Sequence, residues 1–152
     1  MLVQMLLGGG MVVVTTLVHG AFTVLGIERL GTYIDRHQTT SLVRLTLVLA
    51  VFVLWLFLAM IVEVWAWAHL YLALGALGSF EESLYFSTVT FTTLGYGDIT
   101  LDKEWRLLSS FEAANGLLMF GWSTALIFAV VQWVYVGLKR ADSARRSVRG
   151  RK

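Results

Sequence analysis

Thr92-Thr93-Leu94-Gly95-Tyr96-Gly97-Asp98 is the segment whose residue types and spacing point most directly to chemistry. Two glycines flank a tyrosine, in a chain without a single proline. Successive backbone carbonyls can face one axis only if some residues take dihedrals closed to most side chains, and glycine takes them at little steric cost. A ring of such carbonyls, repeated by four chains, can replace the water around a dehydrated potassium ion. Thr93, Leu94, Gly95 and Tyr96 would supply the oxygens and Gly97 would permit the backbone path. Thr92 and Asp98 would support the two ends. The segment reads as an ion-selectivity filter.

Such a filter needs a setting, and the composition supplies one. The chain is 152 residues long, 57% hydrophobic and 14% charged, with a mean hydropathy of +0.73. A soluble domain of this size could not cover so much apolar surface, so the solvent is a membrane. There is no cysteine, hence no disulfide framework and no thiolate metal site.

Three apolar stretches are long enough to cross a bilayer. The first, residues 1–27, has no charge before Glu28 and lacks the basic start and cleavage site of a signal peptide. Its Gly8-Gly9-Gly10 run makes the N-terminal half a weak helix former. The second, Leu45 to Val62, is bounded by Arg44 and Glu63, roughly 28 Å of helix apart. The third runs from about Leu107 to Leu138, longer than a span needs.

Charge placement predicts the orientation. Ten of the twelve Lys and Arg residues are Arg29, Arg36 and Arg44 before the second helix, and Lys139, Arg140, Arg145, Arg146, Arg149, Arg151 and Lys152 after the third. Positive segments stay in the cytoplasm. The expected layout is an outer N-terminus, a membrane helix over 1–27, a cytoplasmic linker over 28–44, a pore domain over 45–138 and a basic cytoplasmic tail over 139–152. That tail suits anionic lipid rather than nucleic acid.

Residues 79–91 predict a short helix aimed into the membrane. Ser79-Phe80-Glu81-Glu82 fits a capping box, with Ser79 and Glu82 bonding each other's backbone. Such a helix presents its negative dipole end near the membrane centre, just below the filter segment. Irregular backbone at that depth is tolerated only where protein buries it or where it lines a watery pathway.

The run Tyr85-Phe86-Ser87-Thr88-Val89-Thr90-Phe91-Thr92-Thr93-Leu94-Gly95-Tyr96-Gly97-Asp98 resembles the pore loop of the potassium-channel superfamily. The chain is similar to small prokaryotic channels with two pore-forming helices per subunit, over roughly residues 42–138. The likeness continues through Trp105-Arg106-Leu107-Leu108 to Glu112, Gly116 and Gly121. It implies a homotetramer around one central pore, since the chain carries one loop. It departs from the pattern in three ways: Leu94 stands where valine or isoleucine is usual, no proline follows Asp98, and the helix over 1–27 is additional. That helix has no repeated Arg or Lys, so it is no voltage sensor.

Other residues take expectations of their own. Glu112 lies roughly 9 Å deeper than Arg106 along a helix, where an acid needs a partner. It is expected behind the filter, bonded to Ser87 or Thr90, with pairing to Arg106 or a watery crevice as alternatives. Glu63 is expected near the outer interface, and His69 beside Trp65, Trp67 and Tyr71 in an aromatic belt. The resemblance makes Gly116 the hinge of the inner helix; close packing is the alternative for Gly116 and Gly121 alike. Leu117, Phe120, Thr124 and Phe128 recur at helical spacing and would face a cavity below the filter, with Phe128 a candidate apolar gate; packing of Phe120 and Phe128 on the second helix is the alternative. Glu81, Glu82, Asp98, Asp102 and Glu104 outweigh Lys103 and Arg106 at the outer mouth, a field that concentrates cations.

The expected molecule is therefore an all-α membrane protein with three transmembrane helices, a re-entrant pore helix and a filter loop. It is expected in the plasma or inner membrane as a potassium-selective, tetrameric channel without a cofactor or structural metal. The expected partners are its own copies, membrane lipid and K⁺. A weakly selective cation channel and a non-conducting regulatory subunit are the alternatives. An enzyme is not expected, because the spans show no nucleophile–base pair.

Overall fold

A computed structural model describes residues 1–37 and 42–149. It contains four helices: α1 (Leu2–His37), α2 (Leu42–Ala73), α3 (Phe80–Phe91) and α4 (Arg106–Arg149). No strand occurs among the described residues. Three helices are long and apolar enough to cross a membrane, over Leu2–Ile34, Val43–Ala73 and Arg106–Gly137.

Each long helix outruns its sequence-based bounds. α1 continues ten residues past Ile27, through most of the stretch expected as a linker; residues 38–41 lie outside the described residues. Its triple glycine is helical because Gly8 is where α1 meets α4. A Cβ there would sit 2.6 Å from the Phe111 ring. Packing outweighs intrinsic propensity at such a contact. α4 likewise continues through the basic tail to Arg149. α2 does not stop at Glu63 but ends at Ala73, because a partnered acid does not interrupt a helix.

Contacts set the directions. Gly26 abuts Trp55 and Phe52 while His19 meets Glu63, so α1 and α2 are antiparallel. Trp67 meets Asn115 and Tyr71 meets Glu112, so α2 and α4 are antiparallel too. Gly8 with Phe111, Thr15 with Asn115 and His19 with Ser123 rise together, which makes α1 and α4 parallel. The starts of α1 and α4 share one end with α3, where the Gln4 side chain also donates to the Glu104 carbonyl.

Burial is concentrated near α3. Trp67, Tyr71, Phe86, Phe91, Leu108 and Met119 form the main apolar cluster, and Leu30, Phe52, Leu56 and Val130 a smaller one toward the other end. In each span most residues are not buried within one chain. The remaining apolar surface must meet lipid or further copies.

Candidate functional site

The site begins with the last turn of α3. Thr88, Val89, Thr90 and Phe91 end a helix whose terminal carbonyls need donors. The Thr92 N–H reaches the Thr88 carbonyl at 3.2 Å. Thr93 N–H bonds Thr90 O at 2.9 Å, and Leu94 N–H bonds Val89 O at 2.9 Å. This pair is the Schellman closure, in which the residue after the cap sits in the left-handed region. That residue is Thr93, with φ 59°. A β-branched residue there is strained by about 1–2 kcal/mol.

From Thr93 onward the sign of φ alternates. Thr93, Gly95 (56°) and Gly97 (77°) are positive, whereas Leu94 and Tyr96 are not. Gly95 N–H also bonds the Val89 carbonyl, at 3.2 Å. The amides of Thr93, Leu94 and Gly95 thus face back onto α3, which leaves the carbonyls of this stretch free to face elsewhere. Residues 92–98 are all exposed in the single chain. Leu94 and Tyr96 present 55% and 67% of their surface, side chains that the chain does not itself cover.

Two braces hold the loop. At the upper end the Tyr85 hydroxyl donates to Asp98 Oδ2 at 2.7 Å, which lowers the Asp98 pKa and raises that of Tyr85. Behind α3, Glu112 accepts from Ser87 Oγ at 2.5 Å and from the Tyr71 hydroxyl at 2.7 Å. Ser87 was one of the two partners expected from sequence; Thr90 is not among them, and neither is Arg106. Thr92 turns its hydroxyl back onto the Thr88 carbonyl at 2.7 Å, so it closes the helix. Ser79 caps α3 by accepting from Glu82 N–H at 3.1 Å, and the Glu82 carboxylate reaches Gly78 N–H rather than that of Ser79.

Gly116 faces the end of α3. A Cβ there would overlap the Phe91 carbonyl oxygen outright and stand 2.8 Å from its carbonyl carbon. Close backbone approach therefore accounts for this glycine. A Cβ on Gly121 would meet nothing within 4 Å. Leu117, Phe120, Thr124 and Phe128 form an exposed stripe on α4, with Phe128 at 64%.

Three sequence-based expectations fail. Glu63 is not at an interface: it is fully buried, with Oε1 at 2.9 Å from His19 Nδ1. Trp67 and Tyr71 do not form a lipid-facing belt but turn inward to Asn115 and Glu112, while Trp65 remains exposed. Nor do the spans lack a nucleophile–base pair, because Ser123 Oγ lies 3.1 Å from His19 Nε2. That chain is buried between helices, and the amides around Ser123 belong to α4, so they are not free to hold an oxyanion. Sequence reading missed His19, Ser123, Thr15, Asn115, Trp67 and Tyr71 as members of buried polar contacts. The spacing 63, 67, 71 on α2, one helix face, was the available signal.

The family described as "Ion channel" matches residues 46–132, more than half of the chain. No curated protein and no solved structure gives a significant match.

Proposed function

This chain belongs to the ion channel family, and we propose that it conducts K⁺ selectively through a homotetrameric pore. The observation that carries the reading is the alternation of φ at Thr93, Gly95 and Gly97, together with amides tied back to α3. In that arrangement the carbonyls of Thr93, Leu94, Gly95 and Tyr96 replace the ion's hydration, and Gly97 and Asp98 close the outer end. The negative end of α3 adds a favourable field below them. Glu112, Ser87 and Tyr71 keep α3 at fixed depth, and Asp98 with Tyr85 fixes the mouth.

Four copies are needed because one loop supplies one strand of carbonyls. Exposed Leu94 and Tyr96, and the open groove of 510 Å³ lined by Tyr85, Val89, Thr93, Gly95, Leu101 and Ser110, are the surfaces neighbours would cover. The exposed stripe from Leu117 to Phe128 then lines the cavity, with Phe128 as its apolar constriction. Arg29, Arg44 and the Lys139 end of α4 lie at the opposite end from the proposed filter, and we assign that end to the cytoplasm of a plasma or inner membrane.

Purified protein in planar bilayers under bi-ionic K⁺/Na⁺ conditions tests the proposal. A reversal potential displaced strongly in favour of K⁺ is the expected result, and equal permeability would sink potassium selectivity. Exposure of Leu94 supports weak cation selectivity as a second reading, since its fit against neighbours sets how firmly the filter is held.

A further inference from the structure

α1 lies wholly before the residues matched by the family, yet it is fastened to α4 by two buried polar links. Thr15 Oγ1 donates to Asn115 Oδ1 at 2.8 Å. His19 spans three helices, its Nδ1 at 2.9 Å from Glu63 Oε1 and its Nε2 at 3.1 Å from Ser123 Oγ. His19 and Glu63 have no exposed surface, and Ser123 has 5%. Glu63 Oε2 is buried with no hydrogen-bond partner. Ionisable side chains inside spans are rare and mark proton or ion sites.

We propose that His19 and Glu63 form an intramembrane proton-binding site whose occupancy decides whether α1 holds the pore-lining helix. This rests on the pore reading given above. With one proton shared between imidazole and carboxyl the pair has no net charge, which suits a dry contact. A second proton, with Glu63 Oε2 as its free acceptor, leaves an imidazolium beside a neutral acid. That net charge is relieved by water, and water can reach it past Ser123, next to the exposed face of Thr124. Hydration there separates Ser123 from His19.

Among the described residues no other charge competes at this level. On α1 the next ionisable group is Glu28, nine residues on. On α2, His69 is exposed and bonded to its own Trp65 carbonyl, Tyr71 is bonded to Glu112, and Arg44 lies nineteen residues back. On α4, Glu112 is committed to Ser87 and Tyr71, and Lys139 is sixteen residues beyond Ser123. On α3, Glu81 and Glu82 stand in the first turn, and Tyr85 is bonded to Asp98.

The mechanical consequence follows from where α4 is pinned. Asn115 and Gly116 are fixed against Thr15 and Phe91. Beyond Ser123, α4 meets α1 and α2 through the apolar contacts of Leu126, Ile127 and Val130 with Leu30, Phe52 and Leu56, which tolerate sliding. Gly121, with no neighbour within 4 Å of a would-be Cβ, is the pivot between these regions. Release of Ser123 lets the lower part of α4 swing and carry Phe128 away from the axis.

The test is K⁺ flux from liposomes holding the full chain, with tetramer recovery checked for every variant. Wild type should conduct at least about tenfold faster at about pH 5 than at about pH 8. His19→Gln, which retains an amide able to meet Ser123, should lose that response. In a His37→Gln, His69→Gln background, His19 is the only imidazole, and nitrogen-15 NMR reads its proton directly. There, Ser123→Ala should keep the His19 titration while abolishing the flux response. A wild-type flux that is flat or falls on acidification, a response that survives in His19→Gln, or a His19 ring that never titrates overturns the inference. Absence of K⁺ flux at every pH would instead overturn the channel reading, and the NMR titration would still decide the proton site.

Discussion

The Phe91 carbonyl oxygen occupies the space that a side chain at residue 116 would need, so α3 and α4 meet backbone to backbone at Gly116. This one contact sets the depth of the short helix relative to the long one. It also places the end of α3 where the proposed filter starts, because the next residues to leave the helix are Thr92 and Thr93.

Gly116→Ala should therefore act through packing. Forcing a methyl group into a filled backbone contact costs about 1–3 kcal/mol per chain. The expected outcome is a lower thermal midpoint of the purified protein and fewer tetramers on size exclusion. An alanine variant as stable as wild type would show that α3 can move aside without loss.

Gly97→Ala should fail for the opposite reason. Nothing lies within 4 Å of a Cβ at this position, so space is available, but φ of 77° costs an L side chain about 1–2 kcal/mol. Folding and assembly should survive, while single-channel K⁺ conductance falls sharply or the K⁺/Na⁺ permeability ratio drops. Unchanged conductance would remove the left-handed backbone from the account of the pore.

Glu112→Gln leaves one acceptor oxygen where two are used. Either Tyr71 loses its acceptor or Ser87 falls back on the Val64 carbonyl at 2.9 Å, and the new amide N–H₂ faces a hydroxyl, at about 1–3 kcal/mol. Tyr71→Phe removes one donor and should cost less, about 1 kcal/mol. Heat dissociation of tetramers in K⁺ buffer should rank wild type above Tyr71→Phe and Tyr71→Phe above Glu112→Gln. Equal stability of all three would count against the brace.

Asp98 and Tyr85 predict a pH-insensitive outer mouth across the neutral range. The carboxyl pKa is lowered, so its contribution is present above the unfolded value of about 3.9 and is lost as pH falls through the lower folded value. The phenol pKa is raised, so its contribution is present below about 10 and is lost as pH rises through the higher folded value. Block of inward K⁺ current by external protons should have its midpoint below the ordinary carboxylate range in wild type. In Tyr85→Phe that midpoint should move up, and a midpoint that stays put would mean that another group titrates.

What could be read from the sequence was local. The Ser79 cap and the left-handed positions Gly95 and Gly97 depend on residues a few positions apart, so their order along the chain already contains their geometry. Glu63 could not be read this way. Its partner His19 is 44 positions back, and a lone acid after an apolar run looks like the end of a span. Trp67 and Tyr71 looked like interfacial aromatics because their acceptors, Asn115 and Glu112, lie on another helix. Gly116 admitted two readings until the position of Phe91 was known, since a helical glycine has the same sequence signature whether it bends or packs.

The parallel course of α1 and α4 bears on how the chain is assembled in the bilayer. Contacts between them join residues about a hundred positions apart, whereas His19 and Glu63 can meet as soon as α1 and α2 have been inserted. The α1–α2 hairpin can thus mature first and wait as a template, with the far nitrogen of His19 still without a partner and the Thr15 hydroxyl bonded only within α1. The last helix to leave the translocon is the one these groups select. A late-arriving helix that brings Ser123 to the wrong register would leave the His19 nitrogen without its partner inside the membrane, so the same contact that ties the helices together also proofreads insertion.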